Sequence, residues 1–283
     1  MTILFGSHIS ISKGLVKSID YANSLGCKVM QIFSQSPRSF KGVSQKNIDA
    51  IEKAKDKLKE HNMIIVSHSP YLINLAKDPK NEKYMADALV NDLDFINKLG
   101  GIGSVVHMGK YIKLTKEEAL NNMENNIKNT LNRYNGDAKL ILETSCGQGT
   151  ELLHDIKELG EFYKRFSSIE KKRIKFCIDT CHIFVAGYDM RSADCVDEFF
   201  SLFDKHIGIN KVVLIHFNDS DKPYHSNVDR HDDIGNGYIG NKSKKGDIGG
   251  LKRVYEISKN NNIPMVLETH DIEGDLKKVQ KWK

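Results

Sequence analysis

Aspartate and histidine stand close together after an apolar, strand-like segment in the middle of the chain. Asp179 ends the run Phe176-Cys177-Ile178, and His182 follows three residues later. Carboxylate and imidazole groups at such a strand end can bind a metal ion. The same pattern, a short apolar run followed by a His, Asp or Glu, recurs along the chain. It yields the candidate ligands His68, His107, Glu143, Asp179, His216 and Glu268, with His182, Asp229 and His231 in two loops.

Five histidines and four carboxylates are too many ligands for one metal ion. A single zinc site uses three or four protein ligands, so the set predicts two or three metal ions with some bridging carboxylates. Mixed imidazole and carboxylate ligands favour zinc, and Mn²⁺ or Fe²⁺ also fits one position. Closely spaced metal ions are typical of enzymes that hydrolyse phosphate esters. One strand-end histidine alone is more often structural than metal-binding, so the prediction depends on the whole set.

The elements that position these residues alternate between strand and helix patterns. Short apolar runs predict strands, and apolar residues at helical spacing separate them. The predicted strands are Ile3–Phe5, Val29–Phe33, Met63–Val66, Ser104–Val106, Leu140–Leu142, Ile174–Ile178, Val212–Ile215 and Met265–Leu267.

The candidate ligands recur at a nearly constant interval. From His68 to His216 they are 36 to 39 residues apart, which is about one strand-helix unit, and a longer loop precedes Glu268. Eight such units predict an α/β protein: a single (β/α)8 TIM barrel over residues 1–283, with its active site at the C-terminal ends of the strands. Thr115 and Glu118 form a predicted capping box, and Leu152 to Leu159 is expected to be helical.

Composition restricts the class of protein. The chain has 283 residues, a net charge of +5 and five irregularly spaced cysteines. The cysteines predict free thiols in a reducing, intracellular compartment, with cytoplasm, nucleus and viral particle left open. No apolar segment is long enough to span a membrane, and Met1 to Ser10 lacks the features of a signal peptide.

Several longer motifs resemble those of a known family. They cover nearly the whole chain in order and are highly specific as a set: Gly6-Ser7-His8-Ile9-Ser10, Tyr71-Leu72-Ile73-Asn74-Leu75, Leu142-Glu143-Thr144, Cys177-Ile178-Asp179-Thr180-Cys181-His182, His216-Phe217-Asn218-Asp219-Ser220, Val228-Asp229-Arg230-His231 and Leu267-Glu268-Thr269. With them the chain resembles the endonuclease IV family of apurinic/apyrimidinic endonucleases. Residues Asn241 to Gly246 look like a small insertion relative to that family.

The resemblance implies a TIM barrel with three zinc ions. A metal-bridging hydroxide would cleave double-stranded DNA on the 5′ side of an abasic site, leaving a 3′-hydroxyl and a 5′-deoxyribose phosphate. Cleaning of blocked 3′ ends by the same centre, and a monomeric protein, are further expectations. Carried over by position, the first metal would take His68, His107 and Glu143; the second Glu143, Asp179, His216 and Glu268; and the third His182, Asp229 and His231.

The resemblance also implies roles for particular side chains. Glu143, Asp179 and Glu268 would be the catalytic carboxylates, while Arg38, Tyr71 and Leu72 would contact DNA. An arginine and an apolar wedge can replace a missing base in the stack; without the resemblance, Tyr71 and Leu72 would be read as packing residues.

Two other functions remain open from the sequence. One is a metal-dependent sugar isomerase or epimerase of similar barrel form, which would use fewer metals and more carboxylates. The other is a module that binds damaged DNA and keeps zinc for structure alone.

Overall fold

Eight parallel strands make up the main sheet of the protein. The computed structural model describes residues 4–282. The strands are β1 (Phe5–His8), β2 (Val29–Phe33), β3 (Ile64–His68), β4 (Gly103–Val106), β5 (Lys139–Glu143), β6 (Ile174–Asp179), β7 (Val212–His216) and β10 (Met265–Leu267). Their order is that of a closed barrel, β1-β10-β7-β6-β5-β4-β3-β2, so the predicted (β/α)8 barrel is confirmed. A short antiparallel pair, β8 (Asp219–Ser220) and β9 (His231–Asp232), lies in the seventh loop.

One compact unit comprises residues 8–143 and 165–175. In it β2, β3, β4 and β5 lie side by side, and Phe33 at the end of β2 pairs with His68 at the end of β3. The helices of this unit are α1 (Leu15–Ser24), α2 (Gln45–Asp49), α3 (Ile51–Glu60), α4 (Tyr84–Lys98), α5 (Lys116–Arg133) and α7 (Ser168–Arg173).

The second compact unit comprises residues 4–7, 144–164 and 176–282. In it β10 pairs with β1 and with β7, and β7 pairs with β6. Its helices are α6 (Ile156–Lys164), α8 (Thr180–Ala186), α9 (Ala193–His206), α10 (Ile248–Asn261) and α11 (Ile272–Gln280). The assignment of residues 1–283 to one domain stays a prediction.

Local sequence signals explain most element boundaries. In α5, Thr115 and Glu118 form the predicted capping box, in which each side chain accepts from the other residue's backbone N–H. The apolar face of α4 is buried at Met85, Leu89 and Leu93, as its helical spacing predicts. Within residues 4–282, no helix is both long enough and apolar enough to span a membrane.

The largest differences from the predicted boundaries are in the first strand, which lies partly outside the described residues, and in the helix expected from Leu152 to Leu159. The first strand begins at Phe5 and continues to His8, and Ile3 lies outside the described residues. Leu153 adopts a positive φ of 62°, so it cannot continue a helix, and α6 begins only at Ile156. There Asp155 accepts from the backbone N–H groups of Lys157 and Glu158. Apolar spacing does not encode this interruption.

Candidate metal centre

The first group of candidate ligands lies at the ends of three neighbouring strands. Nε2 of His68 lies 3.3 Å from Oε2 of Glu143, and Nε2 of His107 lies 3.0 Å from the same oxygen. Glu143 and His68 are almost fully buried, with 1% and 2% of their surfaces exposed. The three residues end β3, follow β4 and end β5, so the barrel's register alone brings them together.

The hydrogen-bond partners of the two His68 ring nitrogens indicate that this group binds a cation. Its Nδ1 lies 2.8 Å from the carbonyl oxygen of Ser69, which can only accept, so Nδ1 carries the proton. In a neutral imidazole, Nε2 then directs a lone pair at the Glu143 carboxylate. Two electron-rich atoms at that distance repel each other unless a proton or a metal ion lies between them. Such a backbone partner on the far nitrogen is typical of metal-binding histidines.

A second group forms where helix α8 faces the seventh loop. Nε2 of His182 lies 3.2 Å from Oδ2 of Asp229, and Nε2 of His231 lies 3.3 Å from Oδ1 of the same residue. Nδ1 of His182 lies 2.8 Å from the carbonyl oxygen of Thr144, so His182 has the same orientation as His68. His231 belongs to β9, the short strand that pairs antiparallel with β8 in the seventh loop.

His182 lies on helix α8, although a loop was predicted at this point. The Asp179 side chain caps α8 by accepting from the His182 backbone N–H at 2.8 Å. An N-cap aspartate accepts from the backbone N–H two or three residues later, so this cap fixes the backbone of residue 182 relative to Asp179. One carboxylate oxygen of Asp179 thereby fixes His182, and the other is left for the site.

The third group contains Asp179, His216 and Glu268, at the ends of β6, β7 and β10. Nδ1 of His216 lies 3.2 Å from Oε2 of Glu268 and 3.8 Å from Oδ2 of Asp179. The same Asp179 oxygen lies 3.5 Å from Nε2 of His231, so Asp179 adjoins both this group and the second. Asp179 and His216 are fully buried.

The charges of these groups shift each other's pKa values strongly. Burial by itself would raise the pKa of Asp229. The imidazoles of His182 and His231 have the larger combined effect and hold this pKa well below its usual range. Burial lowers the pKa of His231, but Asp179, Glu268 and Asp229 raise it to about 9. The carboxylates therefore attract positive charge to this place, which a proton or a metal ion can supply.

The donor set fits divalent metal ions. Each group combines imidazole nitrogen with carboxylate oxygen, and the ligand atoms within each lie within 4.8 Å of one another. That composition suits zinc. Cys181 also lies beside Asp179 and His231. Burial raises the pKa of the Cys181 thiol well above its usual range, which disfavours the thiolate form in the absence of a metal ion.

The predicted DNA-contacting residues lie on two adjoining loops. Tyr71 and Leu72 are 55% and 47% exposed, and Arg38 is exposed as well. The centre of the Tyr71 ring lies 5.5 Å from that of the His68 ring and 5.6 Å from that of the His107 ring. Tyr71 therefore adjoins the first ligand group. The backbone N–H of Tyr71 donates to the carbonyl of Pro37, which joins the two loops.

Comparisons with known proteins agree with this arrangement. Residues 19–245 match the family model described as a xylose isomerase-like TIM barrel. A protein of Acanthamoeba polyphaga mimivirus named "Putative endonuclease 4" is 39% identical over 276 residues, covering 95% of this chain and 86% of that protein. The chain belongs to the endonuclease IV family.

Solved structures show the same architecture. The crystal structure of endonuclease IV from Thermus thermophilus matches with a TM-score of 0.79 at 25% identity, covering 98% of each chain. A D-tagatose 3-epimerase-like protein matches with a TM-score of 0.70 at 19% identity, covering 98% of this chain and 96% of that one, which shows the fold alone. As an endonuclease IV family member the chain is an enzyme, a metal-dependent hydrolase of the nuclease class.

Sequence reasoning missed two residues that hold the ligands in place. Nδ2 of Asn218 donates to Oδ2 of Asp179 at 2.8 Å, and Oδ1 of Asn218 accepts from the backbone N–H of Glu268 at 2.9 Å. Asp219 accepts from four backbone N–H groups, those of Ser220, Gly235, Ile239 and Gly240. Both stand in one motif of the endonuclease IV family, which was the signal available for finding them.

Asp219 fixes the course of the seventh loop, which brings Asp229 and His231 to the site. Burial raises the pKa of Asp219, and its bonds to the backbone N–H groups of the loop oppose that shift. Added Cβ atoms at Gly237 and Gly240 would approach Asp219 oxygens to 2.4 and 2.8 Å, so glycine is required at both positions. The loop thus closes around one buried carboxylate.

We expect Asp219→Asn to weaken the second ligand group without changing its ligands. The asparagine Nδ2 would face backbone donors, so the loop would shift and nuclease activity would fall about 10- to 100-fold. Metal content per chain and nicking rate are the measurements. Asp221→Asn is the matched control, because Asp221 is an exposed residue paired with Lys222. Equal activity of the two variants would contradict the positioning role of Asp219.

Proposed function

We propose that this enzyme hydrolyses the phosphodiester bond 5′ to an abasic site in double-stranded DNA, leaving a 3′-hydroxyl and a 5′-deoxyribose phosphate. The observation that carries the proposal is the set of three ligand groups at one end of the strands, each mixing imidazole with carboxylate. The family to which the chain belongs and the names of its relatives support the DNA substrate. Removal of blocking groups from 3′ ends by the same centre is part of the proposal.

The three groups are proposed to hold three zinc ions, with Mn²⁺ or Fe²⁺ as an alternative at one position. His68, His107 and Glu143 would hold the first, with Glu143 shared with the second. Asp179, His216 and Glu268 complete the second, and His182, Asp229 and His231 hold the third. When bound, these ions lower the pKa of a water molecule to near 7 and offset the charge of the phosphate.

The side chains of the site contribute orientation and charge. Glu143 and Asp179 are buried and the Glu268 side chain is 14% exposed; these carboxylates would orient the attacking water in line with the phosphorus atom. Asn218 holds Asp179 in the rotamer that faces the site. His182 and His231 share Asp229 as a partner, and His231 also adjoins Asp179. This group would stabilise the leaving oxygen of the cleaved bond.

DNA is proposed to bind at the loops of Arg38 and Tyr71. A lesion without a base leaves a gap in the stack, which Tyr71 and Leu72 fill from one groove while Arg38 contacts the backbone or a base edge. Insertion is favoured at an abasic site because part of the stacking is already lost. Inserting these side chains costs less free energy at an abasic site than in an intact duplex, and this difference makes the enzyme specific for the lesion. The chain is proposed to act as a monomer.

We expect Arg38→Ala to weaken binding of abasic DNA about tenfold while the metal content stays unchanged. Arg38 is exposed and is not one of the nine candidate ligands, so its loss removes a DNA contact alone. Fluorescence anisotropy with an abasic duplex measures the effect. The control is Lys41→Ala on the same loop; a matching loss there would indicate a general charge effect instead of a contact by Arg38.

The decisive test of function is nicking of a duplex with one stable tetrahydrofuran abasic analogue. Metal-replete protein should cut on the 5′ side of the lesion and leave the undamaged duplex intact. Prolonged chelation should abolish cutting. Absence of nicking by metal-replete protein would reject the proposal: turnover of a sugar would then indicate an isomerase, and tight binding without cutting would indicate a DNA-binding module.

A further inference from the structure

Asp92 is a buried carboxylic acid that the proposed function does not use. It lies on α4, in the compact unit that also contains Arg38, and none of its surface is exposed. No cation pairs with it within residues 4–282. A buried carboxylate without a cation destabilises the folded state when it is ionised, so packing alone does not explain an aspartate at this position.

Both side chains that bind Oδ1 of Asp92 belong to the loop that follows β2. Oγ of Ser34 donates to this oxygen, and Nε2 of Gln35 donates to it at 2.9 Å. The same Nε2 also donates to the carbonyl oxygen of Ala88 on α4 at 3.1 Å. Ser34 and Gln35 are buried, so water does not compete for these bonds. Helix α4 therefore fixes the first two residues of the loop, both of them through one oxygen of Asp92.

The fixed residues lead directly to the proposed DNA contact. Arg38 follows Gln35 by three positions, and its backbone N–H donates to Oγ of Ser36 at 3.4 Å. The carbonyl oxygen of Pro37 accepts from the backbone N–H of Tyr71 at 3.1 Å. Within residues 4–282 the Arg38 side chain forms no hydrogen bond or ion pair. The place of Arg38 therefore depends on how the backbone of this loop is held.

The second oxygen of Asp92 is the place where a proton can bind. Oδ2 of Asp92 and Oγ of Ser104 on β4 are buried, and neither completes a hydrogen bond within residues 4–282. The Ser104 hydroxyl nevertheless lies close enough to lower the pKa of Asp92. A hydroxyl can donate to a carboxylate and accept from a carboxylic acid, so Ser104 suits both forms of Oδ2.

The surroundings of Asp92 place its titration near neutral pH. Burial raises the pKa of Asp92 to about 7, and the hydrogen bonds of Ser34, Gln35 and Ser104 only partly oppose this shift. These three groups adjoin the carboxyl from the loop and from β4, and none of them is charged or titrates near neutral pH. No charged residue contributes to the shift, so burial is its cause.

We propose that Asp92 is a positioning residue for DNA binding, whose ionised carboxylate holds Ser34 and Gln35 and thereby sets the loop of Arg38 in the geometry that contacts DNA. When Oδ2 takes up a proton, it donates to Ser104, and Oδ1 becomes the acceptor of a neutral acid. Bonds to an ionised acceptor are roughly twice as strong as bonds to a neutral one, so the loop is then held less firmly. The effect on DNA rests on the proposed function, whereas the effect on the loop does not.

Asp92→Asn reproduces the protonated form at every pH, because its Oδ1 still accepts and its Nδ2 donates to Ser104 without a charge. At pH 8 the metal-replete wild type should bind an abasic duplex about fivefold more tightly than the variant. At pH 6 the two should bind nearly equally. Fluorescence anisotropy measures the ratio at each pH, which cancels the titration of other groups. Asp94→Asn, an exposed carboxylate on the same helix, is the matched control and should not lower affinity at either pH.

The melting temperature of the same variant separates a positioning role from a structural one. The folded protein binds the Asp92 proton more tightly than the unfolded chain does, so wild-type stability falls as pH rises from about 4 to about 7. At pH 8 Asp92→Asn should therefore melt at a higher temperature than wild type while it binds DNA less tightly. A lower melting temperature together with weaker binding would overturn the inference, because it indicates a residue that serves the fold alone.

Ser34→Ala tests whether Asp92 acts through the loop. The substitution removes a donor that stabilises the carboxylate, so the pH at which the affinity changes should move upward relative to wild type. Added to Asp92→Asn, it should cost little further affinity, since both substitutions act on the same bond. An unchanged midpoint, or losses that add in full, would contradict the proposed route from Asp92 to Arg38.

Hydrogen exchange without DNA examines the loop by itself. At pH 8 the backbone N–H groups of Arg38 and Ser39 should exchange about fivefold faster in Asp92→Asn than in wild type, from the same difference in bond strength. Equal exchange would overturn the inference and leave the proposed function standing. Faster exchange in a protein that neither binds nor nicks abasic DNA would confirm the hold of Asp92 on the loop and overturn the proposed function.

Discussion

Replacing Glu143 by glutamine is expected to leave binding of abasic DNA nearly unchanged while nicking falls about 1,000-fold. Glu143 lies 3.0 and 3.3 Å from two imidazole nitrogens and is 1% exposed, so its carboxylate is held between these two histidines. Glutamine keeps the shape but loses the charge, and its NH₂ group cannot coordinate a metal ion. The Arg38 and Tyr71 loops that are proposed to hold the DNA are untouched.

Single-turnover nicking and anisotropy with the same abasic duplex separate the two effects. Glu161→Gln is the matched control, because Glu161 is exposed and, within residues 4–282, pairs only with Lys164 across one helical turn. Wild-type turnover by Glu143→Gln would exclude a bridging role for this carboxylate. A parallel loss of binding and nicking would indicate instead that the whole site had collapsed.

Removing the metal ions is expected to abolish nicking and to lower the melting temperature. An ion at about 1,000 times its dissociation constant stabilises the folded state by about 4 kcal/mol. For a domain of this size that corresponds to roughly 8–16 °C per ion. The physical reason is the charge of the site: without cations, buried carboxylates and imidazole lone pairs face one another at the distances described above.

Elemental analysis, differential scanning calorimetry and nicking assays on the same sample measure this effect. Metal-replete protein should carry three ions per chain, and zinc should restore both melting temperature and nicking to chelated protein. Magnesium is the control, since its preference for oxygen ligands does not suit these histidines. A single ion per chain would contradict the trinuclear assignment, and full activity after exhaustive chelation would contradict metal dependence.

The barrel could be predicted because the predicted strand ends and the candidate ligands recur together at a nearly constant interval along the chain. Val29–Phe33 and Met265–Leu267 were predicted with the bounds that the structure has, and the other barrel strands differ by one or two residues at an end, apart from the first, which is shifted toward His8. Parallel strands bring their C-terminal ends to one edge, so residues far apart in sequence meet once the strands are known. The ligand roles of these residues stay predictions until metal is measured.

The supporting contacts could not be predicted from the same pattern. Asn218 and Asp219 act through backbone N–H groups, whose directions depend on the folded loop and not on residue type. The helix that carries His182 is only seven residues long and is defined by one cap from Asp179. Leu153 adopts a positive φ that its residue type disfavours. Each case depends on local backbone geometry that hydrophobic spacing does not report.

The segment 241–246 is pinned at both of its ends. Before it, Gly240 N–H donates to Asp219 at 3.1 Å; after it, Asp247 N–H donates to the carbonyl of Ile239 at 2.8 Å. Inside it, Gly246 N–H returns to the carbonyl of Asn241. These hydrogen bonds hold the chain on both sides of the segment, and Lys244 inside it pairs with Asp232 at 3.3 Å. We therefore expect a peptide tag or a fluorophore inserted here to leave Asp229 and His231 in place, provided that Lys244 is kept.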